Sequence, residues 1–352
     1  MKILIFRNDR LGDLIVTTPL LKLIKKIDNV KITLVVSNTN LKLAQNYINL
    51  IDEYIILEKS FNFLDKIKIY QKLKKHKYDH VIILRQNTLN MFFAIIFYRS
   101  VFGVLSIDNK ANTNIFNRSF YYYLSLFAKH KEIIDWRTKT NDITHVSKHY
   151  INLALKSNIF NFKTLDINNH YILSNLNFEI PFFSLKNNLR IKSIFAHNYI
   201  HLHLDQKWFR TNASDSQIIN MIKELSCKIN QKHLKLVISD DNNNFKVKNL
   251  LINKYFKKSI NKNFYLADNE NLFVTNSTLS DITSLIFLSK LTVTFHSGYV
   301  VHTANSLDKK LIDFHEKTEN IVYKKWMSWQ KDSKQYTYES LDDVVEKIIN
   351  EI

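Results

Sequence analysis

The sequence predicts an α/β protein with two cores, each a mostly parallel sheet covered by helices. Three observations carry this prediction. Short continuous apolar runs recur in both halves, at Ile3–Phe6, Ile32–Val36, Ile55–Leu57 and Val81–Leu84, then at Leu234–Ile238 and Leu291–Phe295; such runs suit strands buried on both faces. Amphipathic stretches separate them, as crossover helices require. The chain's 352 residues, 45% of them hydrophobic, suffice for two cores of ordinary domain size.

After the first strand, Leu20, Leu21, Leu23, Ile24 and Ile27 form an apolar stripe with Lys22, Lys25 and Lys26 outside it. Thr18 followed by Pro19 reads as N-cap and first helical position; the alternative is a helix that begins nearer Asp13 and kinks at the proline. Lys66, Lys68, Lys72, Lys74, Lys75 and Lys77 read as a solvated helix face before the strand His80–Leu84. The stretch Arg118–Lys131 mixes basic residues with Phe120, Tyr121, Tyr122, Tyr123 and Phe127. That mixture suits a lipid headgroup zone or a buried helix with basic edges.

Asn175–Lys192 lacks strong periodicity and holds Pro181, which places a domain boundary near residue 185. Beyond it, Thr278 caps a helix from Leu279 that leads into the strand Leu291–Phe295. Finally Leu341, Val344, Val345, Ile348, Ile349 and Ile352 follow helical spacing behind a Ser340 cap, with Asp343 three residues on. The expected organisation is a first domain over 1–185, a second over 186–335, and a C-terminal helix over 336–352 packing back towards the first.

Charge and cysteine content limit the function classes. A net charge of +18 admits nucleic acid, an anionic membrane surface or an acidic substrate as partner. No nucleic-acid module accompanies the charge and the aromatics form no repeated stacking platform, so no nucleic-acid partner is expected. The single cysteine, Cys227, excludes a disulfide framework and a cysteine zinc site; it reads as a small buried apolar residue in a reducing compartment. The chain begins on an apolar strand without a signal-peptide pattern, and the apolar stretch Met91–Leu105 is interrupted by Arg99 and Ser100. A cytoplasmic protein is expected, at most peripheral on the inner face of the cytoplasmic membrane.

Two of only three glycines mark the chemistry. Gly12 lies in Arg7-Asn-Asp-Arg-Leu-Gly-Asp13, and Gly298 in Phe295-His-Ser-Gly298, both directly after strands, where backbone turns tightly or approaches a ligand. Neither a dinucleotide-binding Gly-x-Gly-x-x-Gly nor a phosphate-binding Walker loop is present. His201, His203 and Asp205 alternate along one strand, too few ligands for an assured metal site.

Arg7, Asp9, Arg10, Leu11, Gly12, Asp13, Thr17 and Pro19 resemble the N-terminal signature of glycosyltransferase family 9, the ADP-heptose:lipopolysaccharide heptosyltransferases and their relatives. Lys77-Tyr78-Asp79 before a strand, Lys207-Trp208 after another, and Ser297-Gly298 with His302 and Ala304 resemble further motifs of that family, in the same order. The resemblance implies a GT-B fold, two Rossmann-like domains facing a cleft, with the acceptor on the first and a nucleotide-sugar donor on the second. It differs at His296, where the family has aspartate, in a Gly298-to-His302 interval one residue longer, and in the absence of small residues near Lys207. These departures fall on the donor side.

An inverting sugar transfer needs a carboxylate to take the acceptor's proton and a positive environment for the departing diphosphate. The resemblance makes Asp13 the catalytic base, the alternative being a helix-start carboxylate. Lys207, Ser297 and Gly298 would hold the donor phosphates at a helix start, without a metal or other cofactor. His302 would orient phosphate or ribose, or simply pack within its helix; His296 would bind sugar or phosphate, or cap its turn. Arg7, Arg10 and Gly12 fall on the acceptor side, with an anionic glycolipid or lipopolysaccharide core as the expected partner; Arg10 has the alternative of pairing with Asp9 or Asp13. A non-catalytic carbohydrate-binding relative remains the second expectation.

Overall fold

The computed structural model describes residues 1–58, 60–108, 115–135, 145–160, 178–179, 185–195, 198–240, 256–261, 264–267, 271–275, 277–317, 326 and 332–352. The chain divides into two compact units, Met1–Glu179 with Lys324–Trp326, and Ile180–Tyr323 with Met327–Ile352. Pro181 lies outside the described residues.

The first unit alternates strands and helices: β1 (Lys2–Phe6), α1 (Leu11–Ile24), β2 (Lys31–Val36), α2 (Asn38–Ala44), β3 (Glu53–Ile56), α3 (Phe63–Lys75), β4 (His80–Ile83), α4 (Thr88–Tyr98), β5 (Phe102–Asp108), α5 (Ile115–Ser125), β6 (His130–Asp135) and α6 (Val146–Lys156). The strands form one parallel sheet in the order β3-β2-β1-β4-β5-β6. Ile3 aligns with Ile32 on one side and His80 on the other, so chain order reverses between β1 and β4. In open α/β sheets, ligands bind outside the strand carboxyl ends at such a reversal. Leu4, Phe6, Val81 and Ile83 pack one face of the sheet against Leu73, Phe93 and Leu124 from α3, α4 and α5.

Helix α1 starts at Leu11 and contains Pro19 in its interior, so Thr18 is not its N-cap. Proline cannot donate to the carbonyl of Ile15 four residues back. The Thr18 hydroxyl donates to that carbonyl instead, at 2.6 Å, and so replaces the missing bond.

The second unit contains α7 (Leu185–Phe195), β7 (Tyr199–Leu204), a 3-10 turn (Gln206–Thr211), α8 (Asp215–Gln231), β8 (Lys235–Asp240), β9 (Phe256–Asn261), β10 (Phe264–Ala267), β11 (Leu272–Thr275), α9 (Leu279–Leu288), β12 (Leu291–Thr294), α10 (Gly298–Ser306), β13 (Leu311–His315), β14 (Ser333–Thr337) and α11 (Leu341–Asn350). Its sheet runs β14-β13-β12-β7-β8-β11-β10-β9, parallel except where β10 pairs antiparallel with β11 and β9. Chain order reverses between β7 and β12, giving a second reversal point. Thr278 and Ser340 cap α9 and α11 through bonds from the Asp281 and Asp343 amides, at 3.2 and 3.1 Å.

Three expectations are corrected here. Helix α7 occupies part of the stretch read as aperiodic, burying Asn188, Ile191 and Phe195. Helix α11, expected to turn back towards the first domain, packs within the second unit: Val344, Val345 and Ile348 join Ile222, Leu225 and Ile229 of α8 in one core, and Lys232 Nζ donates to the Ile349 carbonyl at 2.8 Å. Cys227 is exposed, because the apolar stripe of α8 through Ile218, Ile222, Leu225 and Ile229 leaves it on the solvent side.

Candidate functional site

Both reversal points carry clusters of polar side chains, and each is built by residues directly beyond the strand ends. In the first unit, the chain leaves β1 at Phe6 and β4 at Ile83, and the Leu84 amide donates to the Phe6 carbonyl at 3.3 Å. Arg7 is the next residue after β1. Its guanidinium donates to the carbonyls of Asp13 and Leu84, at 3.1 and 3.2 Å, and to the Tyr150 hydroxyl of α6 at 2.7 Å. It also lies 3.3 Å from Asp9 Oδ1 and 3.2 Å from Asp13 Oδ1.

Burial opposes the charge on Arg7, but Asp9, Tyr150 and Asp13 together hold its pKa above the ordinary arginine range. Burial pushes the Asp9 carboxyl up to about 7, with Arg7 opposing and the neighbouring Asp13 reinforcing the shift. Arg85, after β4, reaches Asp9 Oδ2 at 3.6 Å. Asp13 sits in the first turn of α1 beside the buried Gly12. Its side chain is 18% exposed, against 3% for Arg7 and 5% for Asp9. Of this cluster, Asp13 is therefore the carboxylate that solvent or a ligand reaches.

The structure separates Arg7 from Arg10. Arg7 is enclosed and fully engaged, so it holds the carboxylates and does not face an acceptor. Arg10 is the exposed N-cap residue of α1, and among the described residues it has no ion pair. Sequence reasoning assigned no role to Tyr150 or Arg85; neither belongs to a local motif, and Tyr150 meets Arg7 from 143 residues away.

In the second unit the chain passes from β7 into the 3-10 turn, where Asp205 accepts from the Lys207 amide at 2.9 Å. Lys207 extends to the end of β12, its Nζ donating to the His296 carbonyl. Ser297 is the N-cap of α10 but makes no side-chain cap bond, and the first turn holds no acidic residue. Gly298 begins the helix, and no glycine in the described chain has a positive φ. Lys207 therefore lies beside the start of α10.

His296 behaves differently. It is the residue with left-handed backbone here, φ 48°, and Asp313 of β13 holds it twice. Asp313 Oδ1 accepts from its amide and Oδ2 pairs with its Nδ1, both at 2.7 Å. Burial lowers the imidazole pKa, with Asp313 opposing. Through its Nδ1 and its amide, His296 is tied to Asp313, an arrangement that fits a residue capping its turn. His302 is also buried, one turn into α10. Asp313 was not legible as a site residue because β13 itself was not read from the sequence.

His201 and His203 both turn to Ser239 of β8, at 2.7 and 2.9 Å. Burial pushes His201 well below the ordinary histidine range and His203 down to about 3. Among the described residues, no three histidine, cysteine, aspartate or glutamate side chains group to hold a metal ion.

No family model and no curated protein matches the sequence. Solved structures do match across the whole chain. The E. coli ADP-heptose lipopolysaccharide heptosyltransferase II is 13% identical with a TM-score of 0.65, covering 100% of this chain and 97% of its own. A family 9 glycosyl transferase from Veillonella parvula is 14% identical with a TM-score of 0.59, covering 100% and 93%. The UDP-GlcNAc 2-epimerase of Methanocaldococcus jannaschii is 14% identical with a TM-score of 0.58, covering 99% and 92%. At this identity the likeness is one of fold: the chain has the GT-B fold, two α/β units with parallel sheets, in common with these enzymes.

Proposed function

We propose that the chain is an inverting glycosyltransferase, moving heptose or a related sugar from a nucleoside-diphosphate donor to a lipopolysaccharide-core or related surface-glycan acceptor. The observation that carries this reading is Asp13: a partly exposed carboxylate at the first reversal point, fixed from behind by a buried arginine. Its fold relatives include an enzyme named for ADP-heptose and another named for UDP-GlcNAc, which supports a nucleotide-sugar ligand.

In the proposed reaction, Asp13 takes the proton from an acceptor hydroxyl as that oxygen bonds to the anomeric carbon. The bond from that carbon to the diphosphate oxygen breaks on the opposite face, and the nucleoside diphosphate leaves with the electron pair. Arg7 and Tyr150 hold Asp13 in place. On the donor side, Lys207 and the backbone N–H groups at the start of α10 offset the charge developing on the diphosphate, with no metal or other cofactor required. Asp313 shapes that turn by fixing His296. Arg10 and the partly exposed Arg85 supply positive charge for an anionic acceptor.

A thermal-shift panel of nucleotides and nucleotide sugars tests the donor assignment, because a ligand that binds only the folded state raises its melting temperature. The reading expects at least one nucleoside diphosphate and its sugar derivative to stabilise the protein. Acceptor-dependent release of that diphosphate then separates a transferase from a carbohydrate-binding relative. No response to any nucleotide would reject both the donor site and the transfer reaction.

A further inference from the structure

We propose that the outer surface formed by α3, α4 and α5 docks on an anionic phospholipid bilayer. Eight of the thirteen strongly exposed large apolar side chains among the described residues lie in or directly after these three helices, including Ile96 at 66%, Tyr123 at 58% and Leu126 at 57%. Apolar side chains this exposed and this clustered mark an interaction surface. Topology explains the clustering. Once chain order reverses after β3, successive right-handed crossovers place α3, α4 and α5 on one face of the sheet.

Ring contacts join the three helices laterally. Lys74 of α3 lies 4.7 Å over the Phe97 ring of α4. Phe92 of α4 meets Phe120 of α5 at 6.4 Å. Arg99, beyond the end of α4, lies 5.6 Å over Phe127, and Lys131 lies 4.8 Å over Tyr122.

Charge complementarity selects the occupant. From the start of α3 at Phe63 to Lys131 the acids are Asp65, Asp79 and Asp108 alone; Asp65 lies 3.6 Å from Lys68 Nζ, and the Asp79 carboxylate accepts from the Lys2 amide at 2.7 Å. Lys72, Lys74 and Lys75 close α3 and Arg99 follows α4, so cations gather at the same helix ends as Ile96, Phe97 and Leu126. Long cationic side chains lying over aromatic rings beside exposed aliphatic tips match the interfacial layer of a bilayer. There the rings and aliphatic groups enter the acyl boundary and the cations meet phosphate. Among the described residues, no helix is long and apolar enough to cross a membrane, so this contact lies on the bilayer surface. The inference does not depend on the proposed sugar transfer.

Flotation of the full chain with vesicles of phosphatidylcholine, or phosphatidylcholine with rising phosphatidylglycerol, tests the docking surface without any sugar acceptor present. Binding is expected to rise with phosphatidylglycerol and weaken with salt. The Lys74→Gln/Arg99→Gln/Lys131→Gln variant should lose roughly a hundredfold in affinity, and Ile96→Ser/Leu126→Ser at least about tenfold. All these positions except Lys131 are exposed, and circular dichroism with melting temperature verifies that the variants fold. The proposal is overturned if neither variant changes vesicle binding, if binding ignores lipid charge, or if RNA displaces the vesicles from this face. It is overturned equally if the apolar variant converts a dimer to a monomer while vesicle binding persists, since the face would then cover a second copy. Nucleotide binding measured on the same variants is expected to stay unchanged, which keeps this outcome separate from that of the transfer reaction.

Discussion

Arg7 Nη2 lies 3.2 Å from Asp13 Oδ1, and the same guanidinium is 3.3 Å from Asp9 Oδ1. This places a buried cation between two carboxylates, one enclosed and one partly open. Removing it should leave Asp9 buried with only the partly exposed Arg85, 3.6 Å from its Oδ2, as a cationic partner. Arg7→Met is expected to destabilise the protein by about 3–5 kcal/mol, read from the urea midpoint, and Arg7→Met/Asp9→Asn should recover part of that loss. A single variant as stable as the original would show that the ion pair contributes nothing net.

Lys207 and His296 make the corresponding link in the second unit, 89 residues apart in sequence. Lys207→Ala should weaken nucleoside-diphosphate binding about tenfold, the scale of one partly exposed charge-assisted contact. Excess chelator should leave activity of the unaltered protein intact. Isothermal titration and an activity assay with chelator check both; an unchanged diphosphate affinity, or an obligatory divalent ion, contradicts the arrangement.

His201 and His203 predict acid sensitivity. Burial holds both imidazoles below their ordinary pKa, His203 at about 3. The unfolded chain therefore binds protons near pH 6.5 that the folded chain refuses. Their contribution is present above the unfolded pKa and is lost as pH falls from there towards the folded value. The expected slope is up to about 1.4 kcal/mol per pH unit for each histidine, and His201→Asn/His203→Asn should flatten the fall between about pH 6.5 and 4.5. Denaturation curves across that range decide it, and equal slopes in the two proteins refute it.

Thr18 predicts a smaller effect. Its hydroxyl supplies the bond that Pro19 cannot make to the Ile15 carbonyl. Thr18→Val should cost about 1 kcal/mol or slightly more, because the Ile15 carbonyl loses its donor and the Glu179 amide, 2.9 Å from the hydroxyl, loses its acceptor. In a Pro19→Ala background, where the backbone N–H returns, the same substitution should cost less.

Much of the fold was legible because burial on both faces writes itself into sequence as unbroken apolar runs. β1, β2, β3, β4, β8 and β12 all follow such runs, and the caps at Thr278 and Ser340 follow short local rules. β13 was not legible: Leu311-Ile-Asp-Phe-His315 interrupts its apolar residues with Asp313 and His315, and the partner of Asp313, His296, lies 17 residues away. The same non-locality hid the supporting residues of both sites. Asp13, Lys207 and Gly298 stand in motifs, whereas Tyr150 and Asp313 act through contacts 143 and 17 residues away. His296 misleads a motif reading for a physical reason: its left-handed backbone and its bond to Asp313 make it part of the turn.

The most direct test of the proposed chemistry is acceptor-dependent transfer by Asp13→Asn. Using the donor found by nucleotide screening and a lipopolysaccharide-core acceptor, turnover and donor affinity are measured on the folded variant and the unaltered protein. The account predicts turnover lowered by roughly 100-fold or more, with donor affinity and melting temperature close to those of the unaltered protein. Near-normal turnover in Asp13→Asn would contradict the assignment of Asp13 as the base.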